Sequence, residues 1–297
     1  MPGKARRVRV ETRNAGERLD KFIARSAGLS RRRAREMVES GSVKVDGEER
    51  PPDYQLGQGQ DVTYASGTEK KREGKLPEVR VIYEDEELAV IDKAPGVVVH
   101  PAPGTVSMTL LDALQKRYRS PELVHRLDKD TSGVMAVALN ERAASFIRRQ
   151  FRDRTVKKEY LTIAEGTVSP PAGEINAPLK RSSRSPDRMS VSWVGARSSA
   201  TRYSLVESSG GTSLLEVYPL SGRTHQIRAH LAHLGSPVLG DTRYGSGRGG
   251  VSRQMLHAYR ISFEIPGSNK RKIFCSPPPE DFTLLLRKLG YDLKKIV

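Results

Sequence analysis

The chain has 297 residues, 36% hydrophobic and 29% charged, with 51 Lys and Arg against 35 Asp and Glu, a formal net charge of +16. That length admits one large domain plus a small one, and that charge favours a polyanionic partner over a membrane surface, because no strongly amphipathic basic helix stands out. With Cys275 the only cysteine, no apolar run of about 18 residues and no signal-peptide core after Met1, a disulfide scaffold, a cysteine-rich zinc site and a membrane span are excluded, and a cytoplasmic protein is expected.

Residues 17–64 read as a compact unit. Leu19, Phe22 and Ile23 have helical spacing within Glu17 to Arg25, and Gly28 breaks that helix. Ser30 is a suitable N-cap for a second helix, Arg31 to Ser40, with Ala34, Met37 and Val38 as its apolar face. Val43-Lys44-Val45 followed by Asp46-Gly47 reads as a strand and tight turn, and Gly57 to Tyr64 as a closing strand. Arg31, Arg32, Arg33 and Arg35 crowd the start of the second helix, where the helix dipole adds positive potential, so either a bound phosphate or a merely solvated face accounts for them. A hydrophilic stretch from Ala65 to Pro77, containing Lys70-Lys71-Arg72, reads as a linker. The expected division is a domain over 1–66, a linker over 67–78 and a second domain over 79–297.

In the larger part, Val79 to Tyr83 and Leu88 to Asp92 form a strand pair, and Lys93 to Pro101 a rigid Pro/Gly loop. Thr109 caps a helix from Leu110 to Tyr118 with Asp112 completing a capping box, and Asn140 caps another from Glu141 to Phe151. Lys157 to Ile163 is a strand. Leu214 to Leu220 leads through a turn into a helix of about three turns carrying Ile227, Leu231 and Leu234, ended by Gly235 and Pro237. His225, His230 and His233 invite a metal reading, but only the last two share a face and no carboxylate or cysteine sits at ligand spacing, so no metal is expected. Gly245 to Gly250 matches G-x-G-x-x-G without a strand-to-helix context and reads as a loop. Ile273 to Pro277 reads as a strand end with Cys275 buried, and Asp281 to Leu289 as a C-terminal helix.

Between the apolar Leu123-Val124 and the β-like run Val134 to Leu139 lies His125-Arg126-Leu127-Asp128-Lys129-Asp130-Thr131-Ser132-Gly133. Charge so close to buried strand is costly unless paired or used. A calcium loop fits its first half, but Leu139 occupies the position that requires a bidentate carboxylate. An Asx-type turn built on Asp128 or Asp130 and a surface ion-pair cluster remain open on residue types alone.

This nine-residue stretch resembles the signature of the RluA-type pseudouridine synthases. Further blocks resemble that family in order: Lys93 to Pro101, Lys158-Glu159-Tyr160, Gly222-Arg223-Thr224-His225-Gln226-Ile227-Arg228, and Arg253 to Tyr259. Arg18 to Phe22, Ser30 to Ala34 and Val43 to Gly47 resemble the RNA-binding domain named after ribosomal protein S-four, a module that commonly precedes the synthase domain. The resemblance implies an α+β architecture: a small helix-rich S4-like domain, then a large mixed, mostly antiparallel sheet domain with a central cleft.

It also implies a reaction, isomerisation of uridine to pseudouridine in RNA, with no cofactor or metal. Asp128 is the catalytic carboxylate by this resemblance, as nucleophile or as base, Arg223 the guanidinium that holds it ionised, and Tyr160 the ring stacked on the target base. Arg126 supports the flipped-out nucleotide and, with His125 and Leu256, contacts substrate. Arg31, Arg32, Arg33, Arg35 and Lys44 are the expected RNA-binding cations of the small domain. The partner is expected to be RNA, bound by a monomer. Ribosomal RNA of the large subunit is the expected substrate, tRNA the alternative. A non-catalytic RNA-binding assembly factor and an N-glycosidase, which would need a second carboxylate, are the rival readings.

Overall fold

The computed structural model describes residues 5–29, 31–65, 74–101, 105, 107–247, 249–268 and 270–295. In chain order the elements are β1 (Ala5–Arg9), α1 (Leu19–Ser26), α2 (Arg31–Glu39), β2 (Val43–Val45), β3 (Asp61–Ala65), β4 (Arg80–Glu84), β5 (Leu88–Lys93), α3 (Leu110–Arg117), β6 (Glu122–Leu123), β7 (Ser132–Ala138), α4 (Glu141–Arg152), β8 (Lys157–Glu165), β9 (Ala172–Asn176), β10 (Leu179–Arg181), β11 (Met189–Val191), β12 (Ala200–Ser209), β13 (Thr212–Pro219), α5 (Gln226–His233), β14 (Leu256–Glu264), β15 (Arg271–Cys275) and α6 (Glu280–Lys288). The chain divides into two compact units, residues 1–75 with 101–108, and residues 76–100 with 109–297.

In the first unit α1 and α2 share a core with a three-stranded antiparallel sheet of order β1-β3-β2. Leu19, Phe22, Ile23, Ala34, Val38, Val43, Val45 and Val62 are buried together. The sequence does not announce β1, whose Ala-Arg-Arg-Val-Arg leaves every side chain at least partly in water and is held by its ladder to β3. Helix α1 begins two residues later than its apolar spacing suggests, because the amides of Leu19 and Asp20 bond the carbonyls of Tyr54 and Pro52. The proposed cap Ser30 lies outside the described residues, as do 66–73 of the expected linker.

The second unit is built on a ten-stranded sheet with the path β4-β5-β7-β14-β8-β13-β12-β9, while β15 pairs with β14 and β6 with β7. All its pairings are antiparallel except β7 with β14, where Ser132 faces His257 and Gly133 faces Ala258. Gly133 sits at φ 117°, and a Cβ there would drive into the Ala258 carbonyl, so the glycine that ends the central motif is needed for this close pairing. The caps behave as their sequences suggest: Thr109 and Asp112 form the capping box of α3, and the Asn140 side chain accepts from Ala143 N–H at the start of α4.

Alternation along β8 gives its two faces different partners. Leu161 and Ile163 pack with Phe282, Leu285 and Leu286 of α6. Ala164 packs on the opposite side with Leu215, Ile227 and Leu231, beneath α5, while α3 and α4 cover β5 and β7 through Leu114, Ala144 and Ile147. Tyr160 touches both of these last two cores. Cys275 corrects its expected burial: β15 pairs only with β14, its outer face looks to solvent, and the thiol is exposed. Among the described residues no helix is long and apolar enough to cross a membrane.

Two imidazoles are kept neutral inside this unit. His125 stacks on Phe151 at 4.8 Å and accepts the Ala136 N–H at Nε2, and its enclosure pushes its pKa down to about 3. His257 lies between Ser132 Oγ (3.0 Å) and the Ser276 carbonyl (2.8 Å), and burial pushes it down to about 4. Below about pH 6.5 the unfolded chain takes up protons that the folded chain refuses until near these depressed values, so stability falls as pH drops through that window. Urea unfolding is expected to show a lower midpoint at about pH 5 than at about pH 7.5; equal midpoints would contradict neutral burial of these rings.

Candidate active site

The loop before β7, the middle of β8, the start of β14 and the N-terminus of α5 meet where β7, β14 and β8 lie side by side. They line a cavity of about 390 Å³, the size of a small-ligand site. Its walls include His125, Arg126, Asp128, Tyr160, Arg223 and Leu256, so the structure brings these six sequence-selected residues together. Asp128 is the one carboxylate among the described residues of the lining, and Arg126, Arg152, Arg154, Lys158 and Arg223 place positive charge around it.

The partner of Asp128 is Arg228. Its Nη1 donates to Asp128 Oδ2 at 3.0 Å, while Nε and Nη2 donate to the two oxygens of Asp241 at 2.6 and 2.9 Å. This corrects the sequence expectation for Arg223, whose Nε reaches the Ser198 carbonyl at 3.4 Å and whose side chain stays at the rim. The reason lies in α5, which is buried on every side from Gln226 to Leu231 and so carries Arg228 into the interior, whereas Arg223 sits in the turn before it. Arg228 is 5% exposed and Asp241 fully buried; Asp241 also accepts the amides of Arg243 and Tyr244. Those hydrogen bonds, with the guanidinium, hold the Asp241 carboxyl below its ordinary pKa against the cost of burial. A permanently charged fork fixed at its far end is thus aimed at Asp128.

A second contact comes from His225, held at φ 52° at the N-cap of α5, a left-handed conformation costing on the order of 1 kcal/mol for a side chain with a Cβ. Tyr244 Oη accepts the Met189 N–H at 2.6 Å, which leaves its proton for His225 Nδ1 at 3.0 Å. The neutral ring then presents Nε2–H towards Asp128 Oδ2, 3.9 Å away, and burial lowers its pKa. Gln226 fixes the turn: its Oε1 accepts from Ser221 Oγ and Arg223 N, and its Nε2 donates to Ala200 O and Thr201 Oγ1. His230 is occupied by Thr201 Oγ1 and the Ala177 carbonyl. Among the described residues no group of three or more His, Cys, Asp and Glu is placed to hold a metal.

The loop carrying Asp128 is tied down from behind. Lys93, 1% exposed, donates from Nζ to the carbonyls of Ala94, Val97 and Lys129 at 2.8–3.0 Å, and burial pushes its pKa down to about 7. Arg253, paired with both oxygens of Asp281, donates to the Asp130 carbonyl at 3.1 Å. The turn closes through Thr131 N–H to the Asp128 carbonyl, so the backbone makes the turn and the Asp128 carboxylate is left for Arg228. Sequence reasoning missed Lys93, Arg228, Asp241 and Tyr244 as site-builders. Arg228 and Lys93 lay within blocks that resemble the family; Asp241 and Tyr244 had no signal short of the tertiary pairing.

The other walls are Tyr160, its hydroxyl kept protonated by burial and the nearby Asp128, and Leu256, 4% exposed. Lys158 donates to the Ser221 carbonyl at 2.7 Å, and burial pushes it down to about 8. His125 contributes a ring face, its Nε2 being held by backbone, while Arg126 is exposed at the mouth. In the small unit, Lys44 points to solvent from β2, but Arg33 and Arg35 pair along α2 with Glu36 (3.4 Å) and Glu39 (2.8 Å), so part of the basic cluster is locally neutralised. The side chains of Arg31 and Arg32 lie outside what the structure describes.

Residues 87–233 match the family model described as RNA pseudouridylate synthase, and residues 17–62 match that of the S4 domain. A protein of Aquifex aeolicus described as an uncharacterized RNA pseudouridine synthase is 37% identical over 291 residues, covering 90% of this chain and 92% of its own. Ribosomal large subunit pseudouridine synthase D of Xanthomonas campestris is 36% identical over 303 residues, covering 94% and 90%. The solved structure of human RNA pseudouridylate synthase domain containing 1 superimposes with a TM-score of 0.60 at 30% identity, over 70% of this chain and 86% of that one.

Proposed function

Since the chain belongs to the RNA pseudouridine synthase family, a family of isomerases, and carries an S4 domain, we propose that it modifies uridines of large-subunit ribosomal RNA with Asp128 as the reacting carboxylate. The observation that carries the chemistry is the solitary acid on the cavity wall, gripped by Arg228 and ringed by cations. The choice of RNA rests on relatives named as ribosomal large subunit synthases that span at least 93% of this chain.

The reaction breaks the bond from the ribose anomeric carbon to uracil N1, turns the base, and joins that carbon to uracil C5; C5 then releases its hydrogen to solvent as a proton and the freed N1 takes one up. Nothing is oxidised, and the product is an isomer of the substrate. A paired uridine does not reach a walled cavity, so the nucleotide flips out, at a cost of a few kcal/mol offset by stacking and phosphate contacts. Tyr160 and Leu256 then sandwich the uracil and exclude water, which protects the detached base from hydrolytic loss. Arg228, donating from Nη1 to Oδ2, orients the Asp128 carboxylate toward the ribose, and Arg126 supports the displaced backbone at the mouth. An N-glycosidase would need a second carboxylate to activate water, and Asp130 is not among the cavity residues.

Because C5 hydrogen is released, purified protein incubated with uridine tritiated at C5 in ribosomal or transfer RNA transcripts is expected to free tritium from the large-subunit RNA. Release from tRNA alone would move the substrate assignment to tRNA; binding without release from either would leave an assembly factor. Removing residues 1–66, the proposed S4-like domain, is expected to weaken RNA binding or blur site choice while residues 79–297 retain residual turnover. A folded but inert remainder would contradict that division of labour.

A further inference from the structure

One exposed element near the cavity has no part in the chemistry above. Strands β10 and β11 form an antiparallel hairpin, and after β11 the chain turns through Trp193 and Val194, which are 76% and 78% exposed. Trp193 is the only tryptophan of the chain. The turn that presents it is built: Ser192 Oγ and Lys180 Nζ both donate to the Val194 carbonyl, at 3.1 and 3.3 Å. A large aromatic surface held in water by hydrogen bonds on its neighbours gains nothing from the fold.

Its surroundings specify what would cover it. Arg184, Arg188 and Arg197 are exposed on the same excursion and, among the described residues, have no side-chain hydrogen bond or ion pair; its single acid, Asp187, is held at 3.7 Å by Arg243. Free guanidinium groups on the same excursion as one indole, Arg197 just beyond it in the chain and Arg184 and Arg188 at the far end of the hairpin, suit a polyanion with flat rings, and two adjacent apolar side chains are too small a patch for a protein interface. The excursion also abuts the cavity. Met189 bonds the Tyr244 hydroxyl that orients His225, and the Ser198 carbonyl accepts from Arg223. RNA leaving the cavity on that side passes the segment between those two anchors.

We propose that Trp193 is a stacking platform for an unpaired base flanking the target uridine, with Arg197 taking an adjoining phosphate and Arg184 and Arg188 phosphates further along the strand. This rests on the RNA reading above and adds a contact outside the reacting nucleotide. Stacking tolerates any base, so the platform favours a single-stranded flank without selecting its sequence.

The lone indole makes the test direct in the full-length protein. Titration with a uridine oligonucleotide of about ten nucleotides is expected to quench tryptophan emission, and an abasic strand with the same phosphates is expected to bind, by anisotropy of an end label, with little quenching. Trp193→Ala is expected to weaken binding of the base-bearing strand by on the order of tenfold but not that of the abasic strand, and Trp193→Phe to recover most of the loss. Equal quenching by both strands, no quenching by a strand that binds, or unaltered affinity of Trp193→Ala would overturn the platform. Emission that responds only to protein concentration would overturn it in favour of a contact between copies of the chain. Tritium release, followed in parallel, separates the two claims: a silent tryptophan with active turnover removes the platform alone, whereas quenching without turnover upholds the platform and removes the proposed substrate.

Discussion

Asp128→Asn is expected to cut pseudouridine formation by roughly 10³-fold or more while RNA affinity stays within a few fold. The substitution is nearly isosteric, and the asparagine Oδ1 still accepts from Arg228 Nη1, whose other nitrogens remain on Asp241. The fold and the rim cations are therefore preserved, while the charge that attacks the ribose or removes its proton is lost. An amide does neither. Single-turnover conversion measured beside equilibrium RNA binding distinguishes this from a binding defect; turnover retained by Asp128→Asn would remove Asp128 from the mechanism.

Arg228 is expected to be the next most sensitive position, with Arg228→Lys lowering kcat by roughly 10²- to 10³-fold. A lysine is a point charge: it does not engage both Asp241 oxygens and reach Asp128 as the guanidinium fork does. Arg228→Met goes further, leaving Asp241 buried without a counter-ion, and is expected to destabilise the protein by about 3–5 kcal/mol. Arg223→Ala, at the rim, is expected to raise KM for RNA with a much smaller loss of kcat. Kinetics of the three variants, with their urea midpoints, check this order; a greater kcat loss at Arg223 than at Arg228 would contradict the assignment of the guanidinium.

That pair of arginines also marks where the sequence stops being readable. Both belong to one seven-residue block and are chemically identical, and only the all-round burial of α5 decides which of them faces Asp128. The same limit hides Asp241, since a carboxylate thirteen residues from Arg228 becomes its partner only after the chain turns through Val238 to Tyr244. What was legible follows from local physics. The unbroken apolar runs of β5 and β7 and the capping residues Thr109 and Asn140 each specify their element without distant contacts. Strands β9 to β12 were not legible: their residues are polar and half-exposed, and their order comes from ladders to partners up to dozens of residues away. The buried Lys93 is of the same kind. Its sequence context reads as a loop residue, and only folding surrounds its ammonium with three carbonyls.

The most direct measurement is a pseudouridine map of total RNA from cells producing the wild-type chain, cells lacking it, and cells producing Asp128→Asn at the same level. We predict one or a few uridines of large-subunit ribosomal RNA that are modified only with the wild-type chain. Modification that persists at full occupancy with Asp128→Asn, or that differs only in tRNA, would contradict a carboxylate-driven isomerisation of ribosomal uridine.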